Sequence, residues 1–457
     1  MKRALVILCL LLCGTANAHV GSPDVFFEGD AGPYRLFVTI RTPQVIPGIA
    51  TIEIRSEAPD VTGITVVPMR LTGPGSNLPP AADRAERSAA DPKFFTTSLW
   101  LMEHGSMQVR IEVTGARGPA TLSVPVPAYA QKTLAMPTGL GALLFGLMTL
   151  LALAIVAILV GALREAALEP GVAPQRSHRI ALAVISVVVI GVIVLGKLWW
   201  GAVADDYEQM VMKPWQPAIT TTGCQIHIPI RGPLLPDHGH EMHLFLARMP
   251  AMDRLAHLHP TREDGGFVEE LPSLPAGHYQ VFADVVLRTG FPVTGIGAID
   301  LPALHCAAVT GDDTVWAAGD ALANGARMIW DRPRELRAGV AQALTFRVVE
   351  KDGSPAQLEP YMGMAAHAEV VRTDASVFAH LHPNGSVAMP ALELAATKME
   401  MPGMKMDMAG MKMAMPAISA TLTFPFGFPR AGDYKVFVQI KRAGVIETAS
   451  FDAHVID

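Results

Sequence analysis

The chain has 457 residues, half of them apolar and only 17% charged, with a formal net charge of -6. That length exceeds one ordinary domain and suggests about three, and the lack of a basic stripe argues against nucleic acid as a partner. Met is abundant at 23 residues, and 40 Gly with 36 Pro favour turn-rich β domains over helical bundles.

The first residues carry the marks of an export signal. Lys2 and Arg3 precede an apolar run from Ala4 to Cys13, and Ala16-Asn17-Ala18 supplies a small-x-small cleavage pattern. Segment 1–18 therefore reads as a signal peptide, and cleavage after Ala18 makes His19 the first mature residue. Residues 19–132 follow as one domain. Runs such as Tyr34 to Ile40 and Ala50 to Ile54 alternate in the strand manner between Pro and Gly breaks, which predicts a β-sandwich.

Two long apolar runs come next. Residues 138–162 contain no charge, and residues 180–204 contain only Lys197 before the apolar pair Trp199 and Trp200. A helix needs about 20 apolar residues to cross a bilayer, so each run suffices. The connector 163–179 carries Arg164, Arg176 and Arg179 against Glu165 and Glu169. The positive-inside rule places it in the cytoplasm, and the signal peptide independently places the N-terminal part outside. The expectation is a two-pass protein of a bacterial inner membrane with both soluble parts in the periplasm.

Residues 205–457 contain a repeat. His238-Gly239-His240-Glu241-Met242-His243 corresponds to Met362-Gly363-Met364-Ala365-Ala366-His367. Ala256-His257-Leu258-His259-Pro260 corresponds to Ala379-His380-Leu381-His382-Pro383, and Gly277-His278-Tyr279 to Gly432-Asp433-Tyr434. Two domains follow, 205–309 and 310–457. The expected fold is mainly β, with three Ig-like sandwiches outside the membrane and two transmembrane helices. Export also favours a disulfide between Cys224 and Cys306. The loop-entropy argument puts a bridge closing a loop of roughly 80 residues at about 4 kcal/mol.

The second copy carries a loop insertion at 399–415 with Met399, Met401, Met404, Met406, Met408, Met411, Met413 and Met415. Gly, Pro, Lys and Asp interrupt this run, which does not suit a core stripe. Thioethers are soft neutral ligands that select Cu(I), or silver, over zinc or magnesium. The His-Leu-His pairs point the same way. On a strand both imidazoles of such a pair share one face, and a hairpin can bring a preceding His beside them. Two sites are expected, His243 with His257 and His259, and His367 with His380 and His382. Three His with an open position suit copper or zinc. His238 and His240 are exchanged for Met362 and Met364 at matching positions, and imidazole and thioether share little except affinity for copper. Met249 and Met252 lie near enough in sequence to add soft ligands. A further site is His19, whose free amine and ring would chelate Cu(II), with His104 as partner.

The signal peptide ending directly before His19 on a small sandwich resembles the CopC-type periplasmic copper carriers. Those carriers add a His from an Asp-x-His pattern, whereas His104 here follows Glu103 directly. The Ala-His-Leu-His-Pro repeats with Met-Gly-Met resemble YtkA-like modules found beside bacterial copper-resistance proteins. These resemblances imply a membrane-anchored copper-binding protein that sequesters copper or relays it to an exporter or oxidase, with no catalytic residue of its own. A copper-dependent oxidoreductase using His19 is the second reading, and a metal-free scaffold for a membrane complex is the third.

Overall fold

Alternating burial along most strands shows one face on a core and one towards solvent, as in Gly48–Ser56 and Tyr34–Arg41. The structure, a computed structural model, describes residues 22–165 (side chains to 162), 176–396 and 418–457. The chain is mainly β, and contacts divide it into two units. One runs up to Ala128 and resumes from Lys213 to Asp457; the other is Tyr129–Met212.

The first unit contains three two-sheet sandwiches. In the first, the sheet Val25–Ala31, Tyr34–Arg41, Gly48–Ser56, Phe94–Leu101 faces the sheet Val61–Arg70, Gly105–Gly115, Ala120–Ala128. Val38, Ile52, Ile111 and Val124 are fully buried between them. In the second, Gln225–Ile228 and Gly266–Glu270 face a sheet ordered Leu234–Leu235, Gly277–Leu287, His243–Met249, Arg254–Leu258, Thr314–Ala317. The Cys224–Cys306 disulfide is present, with the Cα atoms 6.0 Å apart. In the third, Arg327–Trp330, Gln342–Val349 and Thr421–Phe426 face Val445–Ile456, Gly432–Arg442, His367–Arg372 and Phe378–Leu381.

The boundary expected at residue 310 lies one strand too early. Thr314–Ala317 pairs antiparallel with Arg254–Leu258 and so completes a sheet of the second sandwich. The first and third sandwiches also join directly. Phe26 sits in the core of the third, and Glu28 N–H donates to the Asn384 carbonyl. The second unit holds two helices, Thr138–Glu165 and Arg176–Met210. Both are long and apolar enough to cross a membrane, over Thr138–Ala162 and Arg176–Met210. The second extends past the apolar run through Asp205, Asp206 and Glu208, because helical hydrogen bonding continues where hydropathy stops.

Candidate metal centre

Two strands explain the site. In His243–Met249, Leu244 and Leu246 enter the sandwich core, so His243, Phe245 and Ala247 occupy the opposite face. In His367–Arg372, Ala368 and Val370 enter the third core, which leaves His367, Glu369 and Val371 outside it. These outer faces are pressed together. Phe245, Phe282, Leu255 and Trp316 of one sandwich join Val371, Phe378 and Phe437 of the other in a single apolar cluster. Phe282 stacks on Phe378 with centroids 4.2 Å apart. The hydrogen-bond register places Asp284 beside His243 and Gln439 beside His367, so the two repeats present corresponding positions to the joint. Beside the apolar cluster lie His238, His240, His243, His257, His259, His367, His380 and His382 in continuous ring contact.

One group of three is His243, His257 and His259, all buried, with their potential ligand nitrogens within 4.8 Å of one another. Their protons are committed elsewhere. His243 Nε2 lies 3.1 Å from the Asp237 carbonyl, which can only accept. His257 Nδ1 is 2.7 Å from Gln439 Oε1, while Gln439 Nε2 donates to Thr314 Oγ1. His259 Nδ1 is 2.9 Å from Asp313 Oδ1. The remaining nitrogens, His243 Nδ1 and His257 Nε2, face each other at 3.1 Å with lone pairs opposed, and His259 Nε2 is buried without a partner among the described residues. Neutral imidazoles fixed by acceptors on the far nitrogen are the usual backing of metal-bound His. Burial, helped by repulsion from neighbouring histidines, holds His243 and His257 well below the ordinary His range. Neutral rings are the form that ligates.

The second group is His238, His367 and His382. His382 Nδ1 lies 3.3 Å from the Val387 carbonyl, and the His238 ring bonds to the Met362 backbone. That leaves His238 Nε2 and His382 Nε2 facing each other at 3.2 Å. Among the described residues neither ring nitrogen of His367 has a partner, although the residue is fully buried. Burial pushes His238 down to about 4 and also lowers His367 and His382. Asp237 Oδ1, another buried atom without a hydrogen bond among the described residues, stands 3.3 Å from His238 Nε2.

Between the groups lie His380 and Glu369. Burial alone would lower the His380 pKa, but Asp284, 3.4 Å from Nδ1, together with Glu369 and Asp237 raises it. Glu369 is fully buried, neither carboxylate oxygen has a hydrogen-bond partner among the described residues, and burial raises its pKa to about 8. A buried carboxyl and a buried imidazole left unpaired are costly.

The first expected triplet is therefore brought together. The second is not grouped as expected: His238 crosses from the neighbouring sandwich to join His367 and His382, and His380 turns towards Asp284. His240 lies on His259, with ring centroids 4.0 Å apart. Met362 and Met364 line an open cleft at His238. Met249 and Met252 pack in the apolar cluster, which corrects their expected role as soft ligands: the turn before Arg254–Leu258 folds them onto the interface. His104 is exposed on the first sandwich and belongs to neither triplet. His19 and the 399–415 methionines lie outside the described residues. Sequence reasoning missed Asp237, Asp313, Gln439 and Glu369; only Glu369, a carboxylate in the apolar run Ala368 to Val371, carried a visible signal.

Residues 321–457 match a family model described as a domain of unknown function, DUF8832. No curated protein matches the chain. Among solved structures, the chain is similar to an ICAM-5 D1-D4 ectodomain fragment, at 11% identity and a TM-score of 0.15, covering 92% of this chain and 76% of that one. It is also similar to a tetra-tandem repeat in the extending region of a large adhesion protein, at 10% identity and a TM-score of 0.17, covering 91% and 73%. A third is trypsin-activated alpha-2-macroglobulin from Escherichia coli, at 11% identity and a TM-score of 0.16, covering 92% and 26%. Similarity this weak bears on no function.

Proposed function

We propose that the protein is a membrane-anchored copper-binding protein of the bacterial periplasm. It sequesters copper in a centre between its second and third sandwiches, or relays it to a partner such as an exporter or oxidase. The observation that carries this reading is the paired, inward-facing ring nitrogens at 3.1 and 3.2 Å, whose far nitrogens are held by acceptors. Opposed lone pairs repel unless a cation lies between them. Imidazole suits copper and zinc alike; the thioethers of Met362, Met364 and segment 399–415 favour copper, or silver, over zinc.

Anchoring is supported by connectivity. The chain before Ala128 and after Lys213 folds into one unit, so both parts lie on one side of whatever Tyr129–Met212 crosses. Two crossings satisfy that requirement, and the signal peptide with the arginine-bearing connector gives the periplasm as that side.

The test is metal stoichiometry. Detergent-solubilised full-length protein saturated with copper in both oxidation states, Cu(I) anaerobically and Cu(II) in air, should lose one ion in His257→Ala/His259→Ala and another in His367→Ala/His382→Ala. Unchanged copper content in both variants would sink the proposal.

A further inference from the structure

The two triplets are surrounded by different donors. At the first, His240 lies against His259 and its Nε2 is 3.6 Å from Asp312, while Asp313 holds His259 Nδ1. Imidazole and carboxylate surround this site. At the second, a cleft of about 590 Å³ opens on His238 and is lined by Met362, Met364, Met389, Asn384 and Glu393. Met364 is the counterpart of His240 in the repeat, and it lines the cleft that reaches His238. The three methionines that line this cleft are half-buried. Met389 begins the helix Met389–Ala396, and its backbone N–H donates to the Asp237 carboxyl. That bond fixes a thioether-bearing residue beside a buried carboxyl oxygen that lacks a partner and stands 3.3 Å from His238 Nε2.

We propose that the centre is asymmetric: His238, His367 and His382 form a Cu(I) site completed by a thioether from the Met362–Met364–Met389 cleft, whereas His243, His257 and His259 form a nitrogen-only site for a divalent ion. The proposal rests on the copper reading above and specifies what each site takes. Soft, neutral sulfur prefers the monovalent ion, and imidazole backed by carboxylates prefers the divalent one. The cleft is also the route by which the soft ion reaches His238, since His367 and His382 are buried. The Met-to-His exchange in the repeat thereby becomes a division of labour.

X-ray absorption at the metal edge tests this. The full chain is used with the eight methionines of 399–415 replaced by Leu, so that any sulfur signal arises elsewhere. One equivalent of Cu(I) should show sulfur together with nitrogen around the metal. In Met362→Leu/Met364→Leu/Met389→Leu the sulfur should vanish and Cu(I) affinity should fall at least tenfold. Zn(II), as a divalent probe, should show protein nitrogen, with at most a water oxygen and no sulfur, keep its affinity in that variant, and lose it in His257→Ala/His259→Ala. Leucine nearly conserves methionine volume, so the variant should retain its fold. A nitrogen-only shell around Cu(I), or a triple-Leu variant with unchanged Cu(I) affinity, overturns the asymmetry while leaving the copper reading intact. Failure of the parent protein to hold either ion through the named histidines overturns both.

Discussion

Replacing Glu369 by Gln should stabilise the metal-free protein, and more so as pH rises. The side chain is fully buried and lacks hydrogen bonds; the nearest imidazole nitrogen, His257 Nδ1 at 3.8 Å, is already bonded to Gln439. Burial raises the carboxyl from 4.5 to about 8, with His380 pulling the other way. Between those values the folded chain keeps a proton that the unfolded chain releases. The stability contributed by the protonated carboxyl is therefore complete below the unfolded pKa and is lost as pH rises towards the folded one. The loss is about 1.4 kcal/mol per pH unit, reaching about 3 kcal/mol at neutral pH. Gln has the same shape and nothing to ionise. The buried His243, His257, His367 and His382 act in the opposite sense: their pKa values are lowered, so their contribution is complete above the ordinary His value and lost as pH falls. Those four are common to both proteins and cancel in the comparison, whereas His380 loses in the variant the part of its upward shift that Glu369 supplies. Urea unfolding of EDTA-stripped protein, followed by far-ultraviolet circular dichroism at several values between about pH 5 and 8, gives the difference in stability. That difference should widen steadily with pH. A constant difference would mean that Glu369 is already ionised in the folded protein, and the reasoning would fail.

Two further outcomes are expected. Asp313→Asn keeps an acceptor for His259 Nδ1 but removes the charge, so affinity at the His243–His257–His259 site should fall about 10- to 100-fold in chelator competition, with the other site unchanged. Cys224→Ser/Cys306→Ser should lower the stability of the second sandwich by about 4 kcal/mol, read as a shift in its urea midpoint.

The strands, the two apolar helices, the disulfide and the repeat were legible because each leaves a local pattern. His257 and His259 could be paired from sequence because they share a strand face. What could not be read was how the repeats face one another. His238 meets His382 across the interface, 144 positions away, and Gln439 fixes His257 from 182 positions away. No periodicity encodes such pairings. The unbroken burial of His243 to Ala247 and of His367 to Val371 was the available hint. A strand buried on both faces reads as a continuous apolar run, and here His and Glu occupy positions in it that would otherwise be apolar.

That substitution raises the question of what holds the sandwiches together. Burying five imidazoles and a carboxyl is unfavourable without metal, so the histidines cannot be the source of the attraction. The apolar cluster beside them can. Phe378 is 2% exposed, stacks on Phe282 at 4.2 Å and lies 5.0 Å from Phe245. Truncating such a side chain costs about 3 to 5 kcal/mol. The interface should therefore stay closed when metal is removed, with the ligands already in place for its return. Hydrogen exchange on Phe378–Leu381 and Thr314–Ala317 distinguishes the cases. EDTA alone should leave protection nearly unchanged, while Phe378→Ala should reduce it about a hundredfold or more even with metal present. Equal loss of protection from EDTA in the parent protein would make the metal, and not the aromatic cluster, the element that joins the two domains.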